Sequence, residues 1–255
     1  MVPAGYRRLA VLSDDPRVSV RGVLSRFTAV LLDMNGTLMF GGDRFGPGQD
    51  FAATYRLLGG SQLTSAVVNG IVQTCYDTME VIYNDPSRSD SFPQVLETLR
   101  ALPATGGLPH TELVVLERVI AHHEVGRIPD AYAEWVRNAT RTHVLGLIAN
   151  LLSRKDLWLE EFKRAGVLDC FGVTVFSSDG SSIKPSRKLF DQAVQVLGVR
   201  RSDTVFVGDN LRCDIGGATG AGLASIWIDR DGRGLEAGDP QPAAVVGDLR
   251  EIPVS

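Results

Sequence analysis

Residues 28–38, which read TAVLLDMNGTL, constrain the fold more than any other stretch of the chain. The aliphatic run Ala29–Leu32 stops at a carboxylate, and Gly36-Thr37 then turns the chain back toward solvent. This is the pattern of a buried strand that delivers Asp33 to the mouth of a sheet. At the carboxyl end of a parallel strand no ladder neighbour pairs with the carboxylate, and open α/β sheets bind their ligands there. An aspartate so placed can be a nucleophile, a metal ligand or both. Taken alone, the stretch also fits a residue that starts a turn or caps a helix.

The rest of the chain supplies the sheet that such a strand needs. A glycine-rich loop, residues 39–50, leaves room for a flap beside Asp33. Helical apolar spacing follows over residues 51–58, 63–83, 92–102 and 112–123, interrupted by Gly59-Gly60, by Asn84-Asp85-Pro86 and by residues 103–109. From there the pattern alternates: helix 130–140, strand 142–149, helix 155–165, strand 173–176, helix 187–197, strand 204–207, short helix 214–222, and strands 224–228 and 243–246. Alternation of this kind predicts a parallel sheet covered on both faces. The expected fold class is α/β, a doubly wound, Rossmann-like parallel-sheet core of residues 1–45 and 128–255 with an α-helical cap domain inserted at 46–127. Residues 1–26 read as a loose arm or an extra strand laid on the core.

A chain of 255 residues that is 44% hydrophobic and 22% charged can bury a large core. Its net charge of -4 and the lack of a long basic cluster argue against nucleic acid or an anionic membrane as partner, which leaves a small molecule. Cys75, Cys170 and Cys213 have neither paired nor zinc-type spacing, so free thiols in a reducing, cytoplasmic compartment are expected. No apolar block marks a signal peptide, and no run is long enough to span a bilayer. Oligomeric state is not legible.

Four strand ends carry polar residues: Asp33 to Thr37, Asn150, Lys184 within Ser182-Ile183-Lys184-Pro185, and Asp209 with Asp214 in the stretch opened by Gly208. This ordered set resembles the haloacid dehalogenase superfamily of hydrolases and phosphotransferases, over residues 27–38 and 142–247. The helical insert falls where the first type of cap in that family sits. The resemblance implies that Asp33 is the nucleophile, forming an aspartyl-phosphate, and that Asp33, Asn35 (through its backbone carbonyl), Asp209 and Asp214 hold Mg2+. It implies that Lys184 neutralises the nucleophile and the phosphoryl oxygens. Met34, Gly36, Thr37, Ala149 and Asn150 then complete a phosphoryl subsite, with backbone amides around Met34, Gly36 and Asn150 as donors. The chemistry is coherent, because a carboxylate attacks phosphorus only where cations screen the repulsion between two anions.

Two positions depart from the pattern. The family's phosphatases carry a second Asp where this chain has Asn35, and a Ser or Thr where it has Ala149. Asparagine exchanges no proton near neutral pH. The missing Asp protonates the leaving oxygen and activates water, work worth about 10² to 10⁴ in rate. The hydroxyl absent at Ala149 is worth about 1–3 kcal/mol as a donor to a charged group. The expected function is therefore Mg-dependent hydrolysis of a small phosphorylated metabolite, impaired by Asn35 and Ala149. The alternative is a weak or inactive phosphoryl-ligand binding or regulatory protein of the same fold. Relatives that act on carbon fit less well: the dehalogenases work without magnesium, and phosphonate cleavage needs a cap lysine, whereas residues 51–127 contain no Lys. His122-His123-Glu124 reads as a helix end whose histidines suit the dipole rather than as a metal or acid-base group. Trp135, Trp158 and Trp227 read as core or helix-face residues.

Overall fold

Short, continuous apolar runs become strands buried on both sides. The computed structural model describes residues 22–254. After a 3-10 turn at Leu24–Arg26, strand β1 (Ala29–Leu32) is followed by helices α1 (Phe51–Leu57), α2 (Ser65–Tyr83), α3 (Val95–Ala101) and α4 (His110–Glu124). Helix α5 (Asp130–Ala139) and strand β2 (Val144–Ala149) return the chain to the sheet. Then come α6 (Asp156–Ala165), β3 (Phe171–Phe176), α7 (Arg187–Leu197) and β4 (Thr204–Gly208). A π-helical turn at Leu211–Gly216 runs into the single turn α8 (Gly217–Gly220), and β5 (Ala224–Ile228) and β6 (Ala244–Val246) end the sheet.

The strand order is β3-β2-β1-β4-β5-β6 and every pairing is parallel. Val30 and Leu32 of β1 pack on one face with Tyr132 and Trp135 of α5 and Trp158 and Phe162 of α6. Leu31 packs on the other face with Leu189 and Phe190 of α7 and Ala218 of α8. Successive side chains of a strand point to opposite faces, so a strand covered on both sides must be apolar throughout. The order reverses at β1, which lies between β2 and β4. The crevice at such a reversal is where open sheets bind ligands.

The four helices after β1 enclose their own apolar cluster, which includes Phe51, Tyr55, Val72, Leu99 and Leu116. They rest on the carboxyl edge of the sheet through Ile183, which is buried in that same cluster, and through backbone bonds from Phe92 N–H to the Ser181 carbonyl and from Ile183 N–H to the Ser89 carbonyl, both 2.8 Å.

Some boundaries differ from the sequence reading. The helix expected over 214–222 begins instead as the π-helical turn at Leu211, where the Asn210 side chain caps it by accepting the Cys213 N–H at 2.8 Å. Glycines at 216, 217 and 220 leave only one α turn after it. The helix expected from Phe92 starts at Val95 behind the Gln94–Glu97 capping box, and β3 begins two residues early, at Phe171. Leu24 is buried under the sheet, while residues 1–21 of the expected arm or extra strand lie outside the described residues. Trp135, Trp158 and Trp227 are buried. Among the described residues no helix is long and apolar enough to cross a membrane.

Candidate active site

The carboxyl ends of β1 to β4 open into a cavity of about 330 Å³. Its base is Asp33, carried directly off β1 and held in line with β4 by an N–H bond to the Val207 carbonyl at 2.9 Å. Lys184 Nζ lies 2.5 Å from Asp33 Oδ1 and 2.8 Å from Asp214 Oδ1. Thr37 Oγ1 donates to Asp33 Oδ2 at 3.1 Å. Lys184 is 1% exposed, in contrast to the solvated lysine that a helix start by itself would suggest. Asn150 fixes it: its Oδ1 accepts the Lys184 N–H at 2.7 Å, and its Nδ2 donates to the Lys184 carbonyl at 3.2 Å. Asp214 is turned inward by the π-helical turn, and its Oδ2 accepts the Asn210 N–H at 3.0 Å.

Burial disfavours the charged form of Lys184, but the neighbouring Asp214 and Asp33 carboxylates outweigh it and hold its pKa above the ordinary lysine value. The acids face the opposite balance. Burial first, then repulsion from Asp33, raises both Asp209 and Asp214 above the usual carboxylate range, and Lys184 offsets only part of this. Oxygens of Asp33, Asp209 and Asp214 lie within 4.8 Å of one another, and Lys184 is the one cation paired with this cluster among the described residues. Three crowded carboxylates with a single ammonium form a hard-oxygen set short of positive charge, and this fits a divalent cation such as Mg2+. The close approach requires glycine at 36: φ is +78°, and a Cβ there would sit 2.0 Å from Asp209 Oδ2.

The structure brings Asp33, Asn35, Asn150, Lys184, Asp209 and Asp214 to this one cavity. It places the other expected residues differently. The Gly36 N–H donates to the Met39 carbonyl at 2.9 Å, which corrects the expectation that this amide is open to a phosphoryl group. The turn closes on itself, with the Met34 carbonyl accepting from Thr37, Leu38 and Met39. Among the described residues the Met34 and Asn35 amides have no backbone acceptor. The Thr37 hydroxyl is already engaged with Asp33, and the side chains of Met34 and Ala149 are buried in the core beneath the sheet end. His123 bonds Thr54 Oγ1 at 3.0 Å and the Arg44 carbonyl at 3.1 Å, a packing role.

Two acids of the cavity wall stood out less in the sequence. Glu124, the last residue of α4, is 2% exposed, and its two oxygens accept the N–H groups of Leu152 at 2.6 Å and Ser153 at 3.0 Å. Burial pushes its pKa up to about 8 against those bonds. Asp43 lines the same cavity from the 39–50 loop. Its signal in the sequence was a lone acid after Gly41-Gly42, which composition alone reads as loop.

Residues 183–252 match the HAD-hydrolase-like family model. A phosphoserine phosphatase of Thermus thermophilus is 32% identical over 155 residues, 60% of this chain and 60% of that protein. A glyceraldehyde 3-phosphate phosphatase of Methanopyrus kandleri is 32% identical over 130 residues, 49% of this chain and 54% of that one. The match thus spans 60% of the length of the first phosphatase and less of the second. Among solved structures, a 2-haloacid dehalogenase from Pseudomonas syringae superposes with a TM-score of 0.59 at 22% identity, covering 89% of this chain and 96% of that one, a likeness of fold.

Proposed function

We propose that this chain is a haloacid dehalogenase superfamily member and, within that superfamily, a magnesium-dependent, phosphatase-like hydrolase that acts on a small phosphorylated metabolite through an aspartyl-phosphate on Asp33. The observation that carries this reading is the Asp33 carboxylate at the end of β1, 2.5 Å from a buried lysine and within one cluster with Asp209 and Asp214. Asp33, Asp209, Asp214 and the Asn35 carbonyl would hold Mg2+, which when bound supplies the positive charge that screens nucleophile from phosphoryl group. Lys184 pairs with Asp33 and faces the phosphoryl oxygens, while Thr37 fixes the orientation of the attacking carboxylate. The free Met34 and Asn35 amides are the donors best placed for a phosphoryl oxygen. Residues 46–127 act as a cap over the site, shielding it from water and selecting the substrate. The three free cysteines support a reducing, cytoplasmic setting.

Asn35 leaves the leaving oxygen and the attacking water without the family's proton carrier, and Ala149 offers no hydroxyl. Turnover is accordingly slow. These two residues favour a second reading, a phosphoryl-ligand binding or regulatory protein. A panel of small phosphomonoesters assayed with Mg2+ and with EDTA separates them. Metal-dependent release of phosphate that disappears in Asp33→Asn supports the hydrolase. Saturable phosphate binding with no release from any ester supports the second reading.

A further inference from the structure

Beyond the acids of the metal cluster the cavity is lined by three carboxylates, Asp43, Glu80 and Glu124, and Asp43 is the one carried on the short loop that follows β1 and Asn35. Asp43 sits where the chain leaves the sheet for the insert, against the segment by which it returns. Phe40 and Arg127 exchange backbone bonds at 2.9 and 2.8 Å, the Asp43 N–H donates to the Glu124 carbonyl at 3.0 Å, and the Arg44 N–H donates to the His123 carbonyl at 2.8 Å. A Cβ at Gly42 would lie 2.3 Å from the Glu124 carbonyl oxygen, so only glycine permits this approach. Asp43 itself has φ +53°, the only positive φ outside glycine among the described residues. A left-handed conformation outside glycine persists where its surroundings impose it, often at functional sites. The Arg44 guanidinium, which could have neutralised Asp43, is instead bound to the carbonyls of Gly41, His122 and Val125.

We infer that Asp43 is the proton carrier of this hydrolase, taking over the acid and base work that Asn35 cannot do. The inference rests on the phosphatase reading above. In the first half-reaction Asp33 attacks phosphorus, the bond from phosphorus to the leaving oxygen breaks, and the Asp43 carboxyl gives its proton to that oxygen, so the alcohol departs. In the second, the Asp43 carboxylate takes a proton from water, the water oxygen bonds to phosphorus, and the Asp33–phosphorus bond breaks. Phosphate leaves with Asp33 ionised and Asp43 protonated again. Among the described residues the Asp43 side chain has neither a hydrogen bond nor an ion pair, whereas both oxygens of Glu124 are held by backbone amides; this decides between the two. The charged and titratable groups around Asp43 are Arg44 on its own loop, Glu124 of α4, and Tyr76 and Glu80 of α2. Asp43 is exposed to solvent where it lines the cavity, partial desolvation there raises its pKa to about 6 against the Arg44 charge, and a group titrating there can both give and take a proton near neutral pH.

The test uses an activated aryl phosphate and an alkyl phosphate with Mg2+ on the full chain, comparing wild type, Asp43→Asn, Asn35→Asp and the double variant. Asparagine tolerates the left-handed conformation, and circular dichroism checks the fold. In wild type kcat should rise with pH through a limb centred near 6. Asp43→Asn should lose that limb, lower kcat by about 10² or more, and accumulate phosphoenzyme, seen as a burst of aryl alcohol near one equivalent. Adding Asn35→Asp should restore turnover. Wild-type rates in Asp43→Asn, failure of Asn35→Asp to rescue it, or loss of the limb in Glu124→Gln but not in Asp43→Asn would each overturn the inference alone. If Asp43→Asn is misfolded, Asp43→Ser must reproduce the loss and the rescue. A wild type with no Asp33-dependent hydrolysis overturns the phosphatase reading itself, and the inference with it.

Discussion

Asp33 and Glu124 are both buried carboxylates of one cavity, 6% and 2% exposed, and the regions that carry them treat the same functional group in opposite ways. At the sheet edge Asp33 faces the Lys184 ammonium at 2.5 Å. At the end of the insert Glu124 meets two backbone amides and no cation, and its pKa is driven up to about 8. Neutral donors offset less of the cost of removing a carboxylate from water than an adjacent full charge does. The sheet edge gathers three carboxylates around one ammonium, and the insert's wall holds Glu124 with amides alone.

The comparison breaks most visibly at the sheet edge. Asp33→Asn should reduce metal-dependent phosphate release to background, a loss of about 10⁴-fold or more as for removal of other nucleophiles; a steady-state assay with Mg2+ decides it, and surviving turnover would move the nucleophile elsewhere. Lys184→Met strips the ammonium from Asp33 and Asp214 and should destabilise the metal-free protein by about 3–5 kcal/mol in urea unfolding, since it leaves buried carboxylates unpaired. A variant as stable as wild type would mean that the sheet edge sheds its charge by taking up protons, as the insert does at Glu124.

The insert should respond to pH. Below about 4.5 folded and unfolded chains both hold the Glu124 proton. Between 4.5 and about 8 the unfolded chain releases it while the folded chain keeps it, so stability falls as pH rises, and above about 8 the loss is complete. At about 1.4 kcal/mol for each tenfold change in acidity, this contribution reaches a few kcal/mol. Urea midpoints with EDTA across that window should fall in wild type and fall less in Glu124→Gln; equal slopes would remove Glu124 from the account. The smallest effect expected is a gain. Asn35→Asp should raise kcat about tenfold, toward the lower part of the range for an added acid and base, because Asp43 already carries part of that work. A rate unchanged at every pH from about 5 to 8 would show that position 35 is not where the proton carrier is missing.

Much of this was legible before any coordinates. The strand over residues 29–32 and the helix over 187–197 have the bounds read from periodicity, because a buried strand and an amphipathic helix each impose a repeat on the chain that carries them. Lys184, Asp209 and Asp214 were visible as polar residues where such runs end. Asp43 and Glu124 were not visible as a pair. They are 81 positions apart and meet only because the chain leaves and re-enters the sheet through adjacent backbone segments. Likewise Thr37 and Asn150 looked like ligand contacts, yet their side chains orient Asp33 and the Lys184 backbone.

The sequence by itself determined the layered α/β architecture and the chemical repertoire: which groups can attack, which can bind a hard cation, and that Asn35 can carry no proton. These follow from residue type and short-range spacing. Tertiary structure alone decided which acids stand beside a cation and which are buried against neutral donors. That depends on how much water is excluded and which ion stands within a few ångströms, and the ammonium that faces Asp33 is 151 residues away along the chain.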